Sequence, residues 1–307
     1  MPEIVCYLPT YSPTTEADIS YPRPYSRLTG DQIASRASNS YSRLKPWVYM
    51  DAIDSILNTR PDIKLIVADG KSTDSIREEL KKHHHEAHLE TCEATLHDQR
   101  PVPAEYILEL YPEKMSQWVI FNDIVKKYTT PDTKYFVYSS SDVIWAHDWV
   151  AEAIKAFEKD PKLQILFPTV SNGDPNLPCQ IATGPQDMDP ILPPYQQAAR
   201  APVLNAYAMI FRMDFLRAYG GYPDAFRNCF TESFLAYMCE AVGGEMRLLP
   251  RGWVYHHGAV DIWADTDKSY YYYNEEKLKF EEVMNSVLIF KAMNQMTKEM
   301  LKQKLYK

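Results

Sequence analysis

Three residues near the middle of the chain, Ser140, Ser141 and Asp142, have the types and spacing best suited to chemistry. They come after a run of strand-forming residues at 135–138, so Asp142 lies just beyond the end of a predicted buried strand. In open α/β sheets, ligands bind in the crevice at the carboxyl ends of strands. A carboxylate there either satisfies the amides of its own turn or binds a hard divalent cation that in turn holds a diphosphate. Asp142 alone does not decide between these two roles.

The segments that would position these residues alternate between strands and helices. Apolar residues recur either in short continuous runs, which indicate buried strands, or at helical spacing. The predicted strands are 3–8, 64–68, 135–138, 164–167, 204–211, 245–249 and 252–255, and the predicted helices are 47–57, 74–82, 115–128, 148–159, 213–219 and 231–242. This order predicts an α/β fold with a Rossmann-like, mostly parallel sheet flanked by helices on both faces.

Three segments carry no such pattern. Residues 12–46 are rich in Ser, Thr, Pro and Tyr, and we predict a long surface insertion there. Residues 83–112 are His-rich and then punctuated by proline, so no element is assigned to them. Residues 171–200 contain many prolines together with Asn, Gly and Asp, which predicts an irregular loop.

The bulk composition is that of a globular protein. The chain has 307 residues, of which 45% are hydrophobic, and its net charge of −8 argues against a nucleic-acid binder, since phosphate contacts need clustered Lys and Arg. No apolar stretch approaches the ~20 residues that span a bilayer, and no N-terminal signal is apparent. The cysteines occur singly, which is typical of a reducing compartment; they are Cys6, Cys92, Cys179, Cys229 and Cys239. We therefore expect a cytoplasmic protein without a membrane span.

Three motifs, in order along the chain, resemble those of one protein family. Residues 66–74, IVADGKSTD, resemble the signature IVVDDGSTD of the family 2 glycosyltransferases. The block from Tyr135 to Pro168 resembles the metal-site region of that family. The block from Asn205 to Gly258, with its GGY and VYHHG sequences, resembles the acceptor half. The resemblance covers most of residues 3–258 and implies the GT-A fold and a nucleotide-sugar-dependent glycosyltransferase.

The resemblance also implies a domain organisation. Residues 1–265 would form the GT-A domain, with 1–130 mainly as the nucleotide-binding half and 131–265 as the metal and acceptor half. Residues 266–307 contain a Tyr run and an amphipathic pattern, and we predict a C-terminal helical extension there. This extension would cover an apolar patch or form the contact of a homo-oligomer.

Several residues match family positions that line the nucleotide-sugar. Pro9, Thr10 and Tyr11 match the turn after the first strand, where Tyr11 could stack on a base or merely pack. Asn122 falls where the family has an Asn near the nucleotide-sugar, although a solvated helix face is an equal alternative.

Asp69 matches the first acidic residue of the family signature, which accepts hydrogen bonds from a ribose hydroxyl or a base amide. The alternative is a turn aspartate that caps the following helix. Asp74 is the better candidate for that cap, so we favour a functional role for Asp69. Because it follows a strand, its substitution is expected to weaken recognition and to leave core packing intact.

The metal site implied by the resemblance departs from the family at one position. Ser140, Ser141 and Asp142 occupy the Asp-x-Asp motif, so Ser140 replaces the first acidic residue and Asp142 retains the last. A divalent cation, Mn²⁺ or Mg²⁺, would lie between Asp142 and the diphosphate, and a histidine ligand would favour Mn²⁺. The family supplies that ligand from the segment that matches His256 and His257, of which His257 is favoured.

Glu232 is the candidate catalytic base. The family carries two acidic residues at this helix start, and here only Glu232 is acidic, followed by Ser233. A carboxylate at a helix N-terminus can take a proton from an acceptor hydroxyl, although simple helix capping is the alternative. The implied reaction is a metal-assisted, inverting single displacement from a UDP-, GDP- or dTDP-sugar to a glycan or other hydroxyl acceptor. The rival interpretation is a non-catalytic nucleotide- or glycan-binding protein with the same fold.

Overall fold

The computed structural model describes residues 3–10, 47–97, 105–172, 189–191, 207–219, 221–222 and 231–256. The strands are β1 (Glu3–Thr10), β2 (Lys64–Asp69), β3 (Tyr106–Leu110), β4 (Thr133–Ser139), β5 (Val143–Trp145), β6 (Leu163–Asn172), β7 (Asp189–Ile191), β8 (Ala208–Arg212) and β9 (Glu245–His256). The helices are α1 (Trp47–Thr59), α2 (Asp74–His97), α3 (Gln117–Tyr128), α4 (Trp149–Lys159), α5 (Met213–Tyr219) and α6 (Thr231–Ala241).

These strands form one mixed sheet in the order β3-β2-β1-β4-β8-β6-β9-β5, with β7 also paired to β9. Strands β1 to β4 are mutually parallel, and β6 and β9 are parallel to each other. Strand β8 lies antiparallel between β4 and β6, so β6 and β9 again point the same way as β1. The carboxyl ends of six strands therefore lie along the same edge of the sheet, which is the edge where ligands bind in such folds.

Alternating side chains on the central strands bury both faces of the sheet. Along β1, Ile4, Cys6 and Leu8 join a core that includes residues of α1, α2 and α4. Val5 and Tyr7 point to the other core, which includes residues of α3, α5 and α6. This two-sided burial explains why the strands appear in the sequence as continuous apolar runs.

Two helices begin directly after a residue whose side chain caps them. The side chain of Asp148 accepts a hydrogen bond from the Ala151 amide and caps α4, as predicted. Ser116 caps α3 in the same way through the amide of Trp118. Among the described helices, none is long and apolar enough to cross a membrane.

Several sequence-based assignments differ from the structure, and one of them is β5 (Val143–Trp145), which was not predicted. Helix α2 extends to His97, beyond the predicted end at 82, and β3 follows within the unassigned segment. His83 explains the continuation, because its buried ring lies 3.0 Å from the Tyr106 hydroxyl on β3 and 3.1 Å from Asp54 Oδ1 on α1. His83 and His84 therefore pack against β3, whereas His85 and His88 are exposed.

The other differences concern short or bent strands. Strand β7 lies in the segment predicted to be an irregular loop. It is short and pairs with β9 outside the main strand order, and proline is tolerated in such a strand, as at Pro190. Strand β9 is continuous where two strands were predicted, and its pairing to β6 shifts register near Gly252. Gly252 has a φ of +104°, so the apparent turn is a distortion within one strand.

Candidate active site

Polar residues gather at the carboxyl edge of the sheet. Thr10 ends β1 and lies in register with Asp69, which ends β2. Asn172 ends β6 and lies in register with His256, which ends β9. The turn that carries Asp142 follows β4 and leads into β5, whose Val143 pairs with His256. The sheet therefore brings together the predicted nucleotide and metal residues of segments that are distant in sequence.

Asp142 is held by two side chains. It is only 7% exposed, and the Ser140 hydroxyl donates a hydrogen bond of 2.7 Å to its Oδ1. Its Oδ2 lies 3.1 Å from Nε2 of His256. Burial alone would raise the pKa of Asp142, but the charge interaction with His256 and the hydrogen bonds outweigh it and lower the pKa below its ordinary value. Asp142 is thus a buried carboxylate that is favoured in its ionised form.

His256 is the histidine beside Asp142, and a second residue holds it in place. It is 3% exposed and ends β9, and the ring of Tyr207 stacks on it with centroids 3.8 Å apart and planes 28° apart. The Tyr207 carbonyl also accepts the amide of Ser140 at 2.7 Å. Tyr207 therefore ties the Asp142 turn to the histidine, a role that its sequence position before β8 did not indicate.

The donor set of Asp142 and His256 fits a divalent cation. Two neighbouring ligand atoms of an octahedral cation with bonds of about 2.1 Å lie about 3 Å apart. The 3.1 Å between Asp142 Oδ2 and His256 Nε2 matches that spacing. A neutral imidazole Nε2 at this position could bind a divalent cation together with Asp142. Within the described part of the chain, no cluster of three or more His, Cys, Asp and Glu side chains could hold a metal, and His257 lies outside the described residues.

Asp69 has a different environment. Its side chain is fully buried, and its two oxygens accept the amides of Lys71 and Ser72 and the hydroxyl of Thr10 at 3.1–3.3 Å. The Nε of Arg77 lies 3.0 Å from Oδ2 and forms an ion pair without hydrogen-bond geometry. Asp69 therefore organises the turn after β2. Direct contact between Asp69 and a nucleotide stays a prediction.

The expected cap at Asp74 is wrong. Helix α2 begins at Asp74 itself, so this residue lies inside the first turn and does not precede it. The turn amides are bound by Asp69 instead, because the chain folds back on itself at Gly70 and Lys71. Sequence analysis also missed Arg77, although an arginine in the first turn of the next helix was a visible signal for a partner of Asp69.

Asn122 points at backbone. Its Nδ2 donates to the Tyr222 carbonyl at 2.7 Å, and its Oδ1 accepts the Tyr222 amide at 2.8 Å. The adjacent Gly221 has a φ of +101°, and a Cβ there would meet Asn122 Oδ1 at 2.1 Å. Asn122 thus fixes the turn after α5, and its predicted contact with the nucleotide-sugar stays a prediction.

The remaining predicted site residues divide between described and undescribed positions. Pro9 and Ser141 are buried at the same edge as Thr10. Glu232 is the second residue of α6, a helix that packs against β9 and ends where β9 begins. The first turn of α6 therefore lies toward the carboxyl edge of the sheet. The hypothesis that Glu232 is the catalytic base requires this position. Tyr11 and His257 lie outside the described residues.

Comparison with known proteins finds the same architecture at low sequence identity. No protein-family profile and no curated protein sequence matches the chain. Among solved structures, S. aureus TarS 1-349 superposes with a TM-score of 0.54 at 11% identity over 94% of this chain. GalNAc-T7 with UDP, GalNAc and Mn²⁺ has a TM-score of 0.53 at 12% identity over 83%. The mannosyltransferase PcManGT from Pyrobaculum calidifontis, in complex with GDP-Man and Mn²⁺, has a TM-score of 0.50 at 16% identity over 83%.

These comparisons establish the fold. The mixed α/β sheet flanked by helices is that of GT-A type glycosyltransferases, which confirms the predicted fold class. The chain spans 65%, 43% and 57% of the length of these three structures.

Proposed function

We propose that this chain, which has the GT-A fold, is a glycosyltransferase that moves a sugar from a nucleotide-diphosphate sugar to an acceptor hydroxyl. The observation that carries the proposal is the pair formed by Asp142 and His256, side by side at 3.1 Å on the carboxyl edge of the sheet. A buried, ionised carboxylate next to an imidazole is a suitable donor set for Mn²⁺ or Mg²⁺. The structures of GalNAc-T7 and PcManGT, which hold Mn²⁺ with UDP or GDP-Man, support this assignment.

The cation would be held by Asp142 and by His256 or His257. When bound, it would neutralise charge on the diphosphate and so make that group a better leaving group. Ser140 contributes by donating to Asp142 Oδ1 and fixing the orientation of the carboxylate. An aspartate at position 140 would instead place a second negative charge beside Asp142.

Chemistry at the sugar would be a single displacement with inversion. Glu232 would accept the proton of the acceptor hydroxyl while its oxygen forms a bond to the anomeric carbon. The bond between the anomeric carbon and the diphosphate breaks, and its electron pair leaves with the nucleoside diphosphate. The position of Glu232 in the first turn of α6 supports this role, because that turn lies toward the edge that carries Asp142.

The nucleotide would lie along the ends of β1 and β2. Pro9, Thr10 and Tyr11 would line its pocket, and the turn organised by Asp69 would border the ribose and base. Asn122, which holds the Tyr222 backbone from α3, would support the site indirectly and would not contact the nucleoside diphosphate. The described edge is polar at Thr10 and Asp69, in line with a ligand that offers hydroxyl and amide groups.

A donor screen tests the function. UDP-, GDP- and dTDP-sugars would be incubated with the full chain and Mn²⁺, and release of nucleoside diphosphate would be measured with and without EDTA. We expect one donor to be turned over in a metal-dependent manner. Thermal stabilisation by a nucleoside diphosphate without turnover of any donor would favour the rival interpretation, a non-catalytic binding protein.

Glu232→Gln tests the catalytic base. Glutamine keeps the shape but cannot take the proton, so turnover should fall by ~10²–10⁴ with nearly unchanged donor affinity. Glu240→Gln, at the other end of the same helix, removes the same charge and should leave turnover intact. If Glu232 is only a cap, both variants should turn over alike.

Three further expectations belong to this proposal. A cytoplasmic location would agree with the thiols of Cys6 and Cys239, which are free and buried. The C-terminal extension at 266–307 and any homo-oligomer that it forms lie outside the described residues. The domain boundary at 265 is likewise a proposal.

A further inference from the structure

The turn after β2 contains a lysine in a backbone conformation that suits glycine. Lys71 has a φ of +80°, and it is the only described residue other than glycine with a positive φ. Such a conformation costs an L-residue about 1–2 kcal/mol, and it is rare for a side chain of this size. In the family signature IVVDDGSTD, glycine stands at the position that matches Lys71. The preceding Gly70 does not have a positive φ. The glycine of this turn is therefore at position 70, although the conformation that favours glycine is at position 71.

The surrounding structure holds Lys71 in place. Its amide donates to Asp69 Oδ2 at 3.2 Å, and the next amide, that of Ser72, donates to the same carboxylate. The amide of Gly70 donates to the Thr10 carbonyl at 2.9 Å. The turn is thus fixed on both sides of Lys71 by bonds that do not involve the lysine side chain. Strain that the surroundings impose in this way is typical of functional positions.

Gly70 is explained by packing. A Cβ at this position would lie 3.2 Å from Ile120 Cδ1 and 3.4 Å from the Met115 carbonyl oxygen, so the turn lies close over α3. The residue that the turn presents to solvent is therefore Lys71, whose side chain is exposed while Asp69 and Ser72 beside it are buried.

The ammonium group of Lys71 has no described partner. Within the described residues, its side chain makes no hydrogen bond or ion pair. The neighbouring acid, Asp69, is already paired with Arg77. Strand β2 is separated from β4 by β1 alone, so the ends of β2 and β4 lie about 10 Å apart, a distance that a lysine can largely cover. Among the described residues, Lys71 is therefore a lysine without a side-chain partner, at a strand end two strands from the turn that carries Asp142.

We propose that Lys71 binds phosphate oxygens of the nucleoside diphosphate, and that Asp69 is the positioning residue that holds the strained turn for it. This inference rests on the proposed function and names a contact within that site. A diphosphate carries several negative oxygens, and a chain with a net charge of −8 needs local cations to accept it. Lys71 would supply one of them from the nucleotide side, opposite to the Asp142 and His256 pair.

Binding measurements on Lys71→Met test the contact. UDP and GDP, each with Mn²⁺, would be titrated into the full chain by calorimetry, and the tighter ligand would be used for the variants. Loss of a charge-assisted hydrogen bond should weaken binding about 10-fold. Lys134→Met is the matched control, because Lys134 is an exposed lysine near the opposite, amino end of β4. It makes the same change in net charge and should leave the affinity unchanged.

Lys71→Gly separates a functional lysine from a structural one. Glycine adopts the positive φ without strain, so the unfolding temperature should rise by about 2 °C. The affinity for the nucleoside diphosphate should nevertheless fall as in Lys71→Met. In Lys71→Gly, the stability should thus rise while the affinity falls. If Lys71 only supports the turn, the substitution should lower both quantities or neither of them.

The outcomes distinguish this inference from the proposed function. If neither UDP nor GDP binds the unchanged chain, dTDP is titrated in the same way, and failure of all three overturns the proposed function and the inference with it. If one of them binds and both Lys71 variants bind it equally well, only the inference is overturned. If Lys71→Met weakens uridine or guanosine as much as the diphosphate, the contact is not to phosphate and the inference is also overturned.

Discussion

The two acidic turns of this sheet, at Asp69 after β2 and at Asp142 after β4, resemble each other in sequence position and differ in what holds them. Both carboxylates are buried at the carboxyl edge. Asp69 accepts amides of its own turn and pairs with Arg77, whereas Asp142 is held by the side chains of Ser140 and His256. A carboxylate bound by backbone amides fixes the chain. One bound by side chains can exchange a partner while the backbone stays in place.

The cations beside the two acids strengthen this contrast. The partner of Asp69 is an arginine, a residue type that pairs with carboxylates and does not serve as a ligand for a divalent cation. Neutral imidazole is a common metal ligand, so Asp142 has a neighbour of a residue type that can share a cation with it, which arginine is not. The turn at Asp69 is therefore suited to structure and the turn at Asp142 to an exchangeable ligand.

The largest effect on stability is expected for Asp69→Ala. The change leaves the largely buried Arg77 with only the Tyr111 carbonyl as a partner and no counter-charge, and it leaves the turn amides without an acceptor. The free energy of unfolding should therefore fall by about 3 kcal/mol. This expectation replaces the sequence-based one, in which only recognition was affected. Urea unfolding measures it, with Asp132→Ala as a control at an exposed carboxylate near the start of β4. A variant as stable as the control would mean that Asp69 does not organise the turn.

Asp142→Asn should affect ligand binding and leave the fold largely intact. At a concentration 100-fold above its Kd, a ligand stabilises a protein by about 2.7 kcal/mol, and UDP or GDP with Mn²⁺ should do so here. Asparagine can still accept the hydrogen bond from Ser140, but it has no charge for a cation. The variant should therefore lose most of the ligand-induced shift in a thermal melt. Equal shifts in the variant and the unchanged chain would remove Asp142 from the site.

Asn122→Ala tests whether Asn122, like Asp69, stabilises a turn and does not bind the ligand. The side chain makes two hydrogen bonds to the Tyr222 backbone, and Tyr222 is buried. Their loss should cost about 2 kcal/mol of unfolding free energy. The stabilisation by nucleoside diphosphate and Mn²⁺ should remain. The reverse result, normal stability with weakened binding, would assign Asn122 to the nucleotide-sugar.

Much of this fold could be predicted from the sequence because its central strands are buried on both faces. Such strands give continuous apolar runs, as in β1 and β2, and the helices between them keep a clear spacing. The predictions were wrong where a strand was short, as in β7, or bent, as at Gly252 in β9. There the local residues indicate a loop or turn, and pairing with neighbouring strands decides the structure.

The candidate site was predictable in its positions and unpredictable in its contacts. Asp142 and His256 were assigned to one site from separate motifs, and the sheet places them 3.1 Å apart. The pairing of Asn122 with Tyr222 joins residues 100 positions apart, so no local pattern could indicate it. Likewise, the sequence shows an acid at Asp69 but not that amides and Arg77 occupy its oxygens.

The smallest effects come from removing one hydroxyl beside each acid. Thr10 donates to Asp69 Oδ1 at 3.2 Å and Ser140 donates to Asp142 Oδ1 at 2.7 Å, so Thr10→Val and Ser140→Ala should each cost about 1 kcal/mol of stability. They should differ in their response to Mn²⁺. Ser140 orients a carboxylate that is proposed to bind the cation, and loss of such a partner typically weakens metal affinity about 10-fold. Thr10 is proposed to lie on the nucleotide side and supports an acid that is already paired with Arg77. With UDP or GDP held at saturation, Thr10→Val should therefore leave the Mn²⁺ affinity unchanged. If the two variants give the same Mn²⁺ titration, the two turns do not differ in function. The distinction between a structural carboxylate at Asp69 and a cation-binding carboxylate at Asp142 is then wrong.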